Sequence, residues 1–123
     1  MTASLVRYVV LILVFAVLAV TLPSTLLAHA VLVESNPRAG STVKGPSLSV
    51  WLRFNVRVDG TRSLSRLVLP NGSTVPLALD PQAKPDILSG KANGLTAGKY
   101  RLQWQVLAAD GHISRGEFAF TVE

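Results

Sequence analysis

The stretch 99-KYRLQWQVLAADGHISRGEFAFTV-122 decides the fold. From Lys99 to Leu107 the apolar residues Tyr100, Leu102, Trp104 and Val106 alternate with Arg101, Gln103 and Gln105. From Gly116 to Val122, Phe118, Phe120 and Val122 alternate with Glu117, Ala119 and Thr121. A period of two gives a strand one buried and one solvated face, whereas a helix would need a period of 3.6. The spacing predicts strands over 99–107 and 116–122, joined by a loop from Ala108 to Arg115 that carries Asp110-Gly111-His112.

Working back along the chain, the same pattern recurs. Leu48, Val50, Leu52 and Phe54 alternate with Ser49, Trp51 and Arg53, which predicts a strand over 48–54. Leu64–Leu69 and Thr74–Leu79 flank Pro70-Asn71-Gly72-Ser73, and Asn-Gly signals a hairpin because both residues tolerate positive φ. Ala30–Glu34 reads as a first strand closed by Asn36-Pro37 and the turn residues Ala39-Gly40-Ser41. Ala83–Asp86 reads as a loop before a short strand near Ile87 and Leu88. Seven short strands without a helix-length segment predict an all-β Greek-key sandwich or barrel. Trp51 and Trp104 fall within strands and read as packing residues.

Residues 1–28 are different in kind. Arg7 supplies a positive start, Val9–Val20 is an unbroken apolar run, and Pro23 precedes Leu26-Leu27-Ala28, where a secretory peptidase would cut. The expectation is a cleaved signal peptide over 1–28 and a single domain over 29–123, in the periplasm or outside the cell. The alternative is an uncleaved anchor over Leu5–Leu22, for which the apolar run is short.

Residues 29–123 lose only Arg7 of the 12 Lys and Arg and keep all 7 acids, a formal charge of +4. The cations are scattered along the sequence, with no basic helix and no interleaved stacking aromatics, so nucleic acid is not an expected partner and the charges read as a solvated surface. Loose attraction to anionic lipid is compatible with that charge. The chain has no cysteine. Thiolate zinc sites, iron–sulfur clusters and blue-copper ligand sets are therefore excluded, and the domain must be held by packing rather than disulfides.

There are two histidines, His29 and His112. Cleavage after Ala28 would make His29 the first residue, so that its α-amine and imidazole Nδ1 could grip one metal ion. With His112 the donors become three nitrogens in a T, an arrangement that suits the tetragonal preference of copper(II). Asp110 could supply an oxygen ligand, fix an imidazole from behind, or simply cap the loop, and Gly111 would let the chain bend between them. Imidazole and amine nitrogens bind metals only when unprotonated, so affinity should fall below about pH 6. Chelation through successive backbone amides would need histidine at the third position, which is Val31. Thioether copper(I) sites are excluded because Met1 is the only methionine.

These residues resemble the CopC (YobA-like) copper resistance proteins. The opening His29-Ala30-Val31-Leu32-Val33-Glu34-Ser35-Asn36-Pro37 with Ala39-Gly40 is similar to the family's start. Leu95–Tyr100, Trp104, Ala109-Asp110-Gly111-His112, Gly116 and Phe118–Val122 are similar to its closing signature. The resemblance implies a seven-stranded Greek-key β-barrel of cupredoxin-like or immunoglobulin-like shape and a copper(II) site of His29, Asp110 and His112. Some members add an acid where this chain has Val56, and some carry a methionine-rich copper(I) loop that is missing here. The chain thus resembles the copper(II)-only type, a non-enzymatic protein that sequesters or carries the ion and passes it to a CopD-type inner-membrane transport protein. Two other readings use the same residues differently. A small copper-dependent oxygenase would need an open coordination position and a flat aromatic substrate surface. In a metal-free β-sandwich interaction module both histidines would be incidental.

Overall fold

The computed structural model describes residues 3–20 and 29–123. The apolar run near the start forms α1 (Ala3–Val20), which among the described residues contacts none of the strands. Among the described residues no helix is long and apolar enough to cross a membrane. Pro23 and the expected cut after Ala28 lie outside the described residues.

Residues 29–123 form β1 (Leu32–Asn36), β2 (Thr42–Val43), β3 (Leu48–Phe54), β4 (Leu64–Val68), β5 (Thr74–Leu77), β6 (Ile87–Ala92), β7 (Gly98–Leu107) and β8 (Ile113–Val122). They make two packed sheets, β1-β3-β6 and β2-β8-β7-β4-β5. All neighbours are antiparallel except β2, which runs parallel to β8. The chain changes sheet on each side of β2, between β3 and β4, and again on each side of β6, which gives an immunoglobulin-like, Greek-key sandwich.

The alternation read in the sequence is the alternation of burial. Val50, Leu52 and Phe54 from the small sheet meet Leu102, Val106, Phe120 and Val122 from the large one. Phe54 packs edge-to-face on Trp104, ring centroids 5.2 Å apart. The Trp104 indole in turn covers Gly116, its partner on β8, where a Cβ would overlap the ring. Tyr100 stacks on Phe120, and its hydroxyl donates to Thr96 O (2.8 Å) while accepting from Thr96 N–H (3.1 Å). This tyrosine corner locks the turn into β7. Tyr100→Phe should cost about 1–3 kcal/mol, since it strands the Thr96 amide, and a urea midpoint unchanged from the parent would contradict the assignment.

The structure departs from the expected strand bounds in several places. β1 begins at Leu32 rather than Ala30, because the amides of Ala30 and Val31 are taken by side chains outside the ladder. β6 runs to Ala92, four residues past Leu88. Its later core-facing positions are Gly90 and Ala92, too small to register as an apolar alternation, and Gly90 is required because Ala78 O approaches where a Cβ would stand. β2, an eighth strand of two residues, has no periodicity to detect.

The hairpin signalled by Asn71-Gly72 joins β4 and β5 as antiparallel neighbours, and its turn spans three residues. Gly72 N–H donates to Leu69 O (2.9 Å), Leu69 N–H donates to Ser73 O (2.8 Å), and only Gly72 has positive φ (87°). Pro70, with φ fixed near −65°, suits the second position of a type I turn, so the loop becomes Pro70-Asn71-Gly72 with glycine in the left-handed region.

Candidate metal centre

The connection between β7 and β8 repeats that turn. Gly111 N–H donates to Ala108 O (2.9 Å), Ala108 N–H donates to His112 O (2.8 Å), and Gly111 has φ 91°. The loop is therefore only Ala109-Asp110-Gly111, and β8 begins at Ile113, three residues before the expected Gly116. Asp110 caps the turn by accepting His112 N–H at Oδ1 (3.1 Å), as Asn71 accepts Ser73 N–H (2.9 Å) in the other hairpin. Its second oxygen lies 3.1 Å from His112 Nδ1.

Asp110 thus caps the turn and also touches the His112 ring. A carboxylate contact at Nδ1 makes Nε2 the His112 ring nitrogen available to a metal. The His112 amide, followed by the imidazole contact, holds the Asp110 carboxyl below its ordinary range. Because the folded value is depressed, this contribution is complete at neutral pH and is lost only as pH falls through that depressed value.

His29 reaches the hairpin because the two residues after it are fastened on both sides. Ala30 N–H donates to Ser114 Oγ on β8 (3.1 Å), and Ala30 itself is buried. Val31 N–H donates to Asn55 Oδ1 (2.7 Å), and Asn55 N–H returns a bond to Val31 O (3.0 Å). The segment after Asn55 braces the hairpin as well, with Ala109 N–H donating to Arg57 O (3.1 Å) and Asp59 N–H to Leu107 O (2.8 Å). The His29 and His112 rings, 83 positions apart in the chain, come to 6.0 Å between centroids at an interplanar angle of 65°.

All three residues singled out from the sequence therefore lie at one pole of the sandwich and are exposed. Among the described residues, however, no group of three or more His, Cys, Asp or Glu side chains is placed to hold a metal ion. Two positioning residues escaped the sequence reading, Ser114 and Asn55. Their hydroxyl and carboxamide do work that only contacts across the fold reveal, and no local motif marks it.

Comparison with known proteins bears on this geometry. The model of the CopC domain matches residues 32–123. The copper resistance protein C of Xanthomonas campestris pv. juglandis is 30% identical over 105 residues, covering 78% of this chain and 81% of that protein. The copper transport protein CutJ of Bacillus subtilis is 29% identical over 119 residues, 94% of this chain but 21% of CutJ. Among solved structures, CopC from Methylosinus trichosporium OB3b superposes with a TM-score of 0.72 at 34% identity, covering 77% of this chain and 94% of that one.

Proposed function

Because the chain belongs to the CopC domain family, we propose that its copper-related function is that of an exported copper(II)-binding protein whose site is His29, Asp110 and His112. The observation that carries this reading is the approach of the two imidazoles at the β7–β8 hairpin. With metal–nitrogen bonds of about 2 Å, two imidazoles sharing one ion have centroids roughly 4.5 Å apart when cis and about 6.4 Å apart when trans. The 6.0 Å here favours a nearly trans pair. That leaves the position between them for a third nitrogen, and the side chains do not provide one.

A chain beginning at His29 would provide it as the α-amine. The Ala30 amide is already committed to Ser114, which disfavours chelation through the next backbone nitrogen. Asp110 acts through His112, keeping Nε2 directed at the ion. Cleavage after Ala28, a periplasmic or extracellular location and the copper(II) state belong to this same reading, and no catalytic step is required. Hand-over to a CopD-type membrane transport protein fits the case of CutJ, where a region like this one is about a fifth of a copper transport protein.

The test is electron paramagnetic resonance of copper(II) bound to residues 29–123. Three nitrogen couplings are expected, and couplings that persist unchanged in His112→Ala would contradict the site. Asp110→Asn keeps an acceptor for the His112 amide but removes the charge behind the ring. It should weaken copper about tenfold, less than His112→Ala, as disturbing a ligand's outer partner does. In both proteins copper should still be lost on acidification, because nitrogen donors bind a metal only when unprotonated.

A further inference from the structure

The cations that look scattered in the sequence are gathered by the fold. Register places Arg66 on β4 opposite Gln103 on β7, which is opposite Glu117 on β8, and places Arg115 opposite Gln105. Arg101 reaches diagonally to Glu117 (3.2 Å), and Lys99 is one alternation further along β7. Four cations and one carboxylate thus share the outer face of the five-stranded sheet. The carboxylate is already committed to Arg101 and to the Gln103 amide (2.9 Å). Arg115 spends one N–H on Gln105 (2.8 Å), and Arg66 and Lys99 have no ion-pair partner among the described residues. The opposite outer face carries Arg53 paired with Glu34 (2.8 Å) and has no comparable excess.

The same face ends in apolar residues at the copper pole. Leu64, beside Gln105, is 43% exposed, and Ile113, paired with Leu107 and adjacent to His112, is 50% exposed. Beside Leu64 lies a shallow recess of about 300 Å³ whose lining includes Arg66, Arg115 and Glu117. An apolar tip backed by a spread of cations matches a surface that is apolar inside and anionic at its boundary. A compact anionic ligand would leave Lys99, at the far end of β7, unused. We propose that this face docks onto an anionic lipid bilayer, with Leu64 and Ile113 entering the headgroup boundary and Arg66, Lys99 and Arg115 facing the phosphates. Docking so oriented brings His112 to the membrane surface, and only this consequence rests on the copper reading.

The experiment is co-sedimentation of residues 29–123, without copper, with phosphatidylglycerol-containing vesicles and with pure phosphatidylcholine vesicles. Residues 29–123 bury a core of their own, and among the described residues α1 contacts none of their strands. Binding is expected to the anionic vesicles only and to be lost at high salt. Arg66→Gln with Arg115→Gln should weaken it about 30-fold, taking the usual contribution of each cation near such a surface. Lys84→Gln with Lys91→Gln removes the same charge away from this face and should change binding less than about threefold. Ile113→Ser should weaken it while leaving salt sensitivity intact. Absence of vesicle binding would overturn the proposal and leave an acidic protein surface as the face's partner, and equal losses in the two double variants would overturn it in favour of net charge alone. Because copper is absent throughout, neither result bears on the metal site.

Discussion

Adding a single residue ahead of His29 should lower copper(II) affinity by more than about a hundredfold, beyond the 10–100-fold that follows from disturbing an outer partner of a ligand. The extension leaves every side chain in place. On the proposed reading it converts the α-amine of His29 into an amide, which neither carries a free lone pair nor can lose its proton cheaply. Ala30 and Val31, fastened to Ser114 and Asn55, prevent the chain from sliding to offer another nitrogen. Copper should raise the thermal midpoint of the parent and not of the extended protein, because a ligand held only by the folded state stabilises it. Equal shifts in both would sink the role of the amine, and with it the need for maturation at Ala28.

Phe54→Ala should be the most damaging single change to the fold, at about 3–5 kcal/mol. Phe54 is 1% exposed and is the contact through which the small sheet meets Trp104. A domain of this size is stable by only about 5–14 kcal/mol, so the loss is a large share of the total. A urea titration followed by Trp104 fluorescence would measure it, and a loss under about 1 kcal/mol would mean the pair is not a packing centre. Phe54 also precedes Asn55, which holds Val31, so the folded fraction of the variant should bind copper more weakly. Packing at Phe54 and positioning at His29 are thus consecutive links in one chain of contacts.

How much was legible depended on whether the signal was local. β3 and the apolar face of β7 could be read because large side chains alternate there with polar ones. β6 could only be half read, since the residues it turns inward after Leu88 are Gly90 and Ala92. Asp110-Gly111 could be read as a turn that Asp110 caps, yet the shortness of the loop could not, although Asn71-Gly72-Ser73 makes the same turn. Ser114 and Asn55 gave no warning, because a hydroxyl or carboxamide becomes a positioning group only when a distant backbone amide arrives beside it.

The sequence by itself determined the class of fold, the absence of thiolate chemistry and that His29 and His112 are the two imidazole-bearing residues. Those properties depend on composition and on a repeat of two along the chain. Only the tertiary structure decided that His29 meets His112, that Asp110 stands behind one ring, and that Arg66, Lys99, Arg101 and Arg115 form a single charged face. Each of these is a relation between strands, set by which strand pairs with which and in what register, and that pairing is fixed by the burial of the whole core rather than by any segment of it.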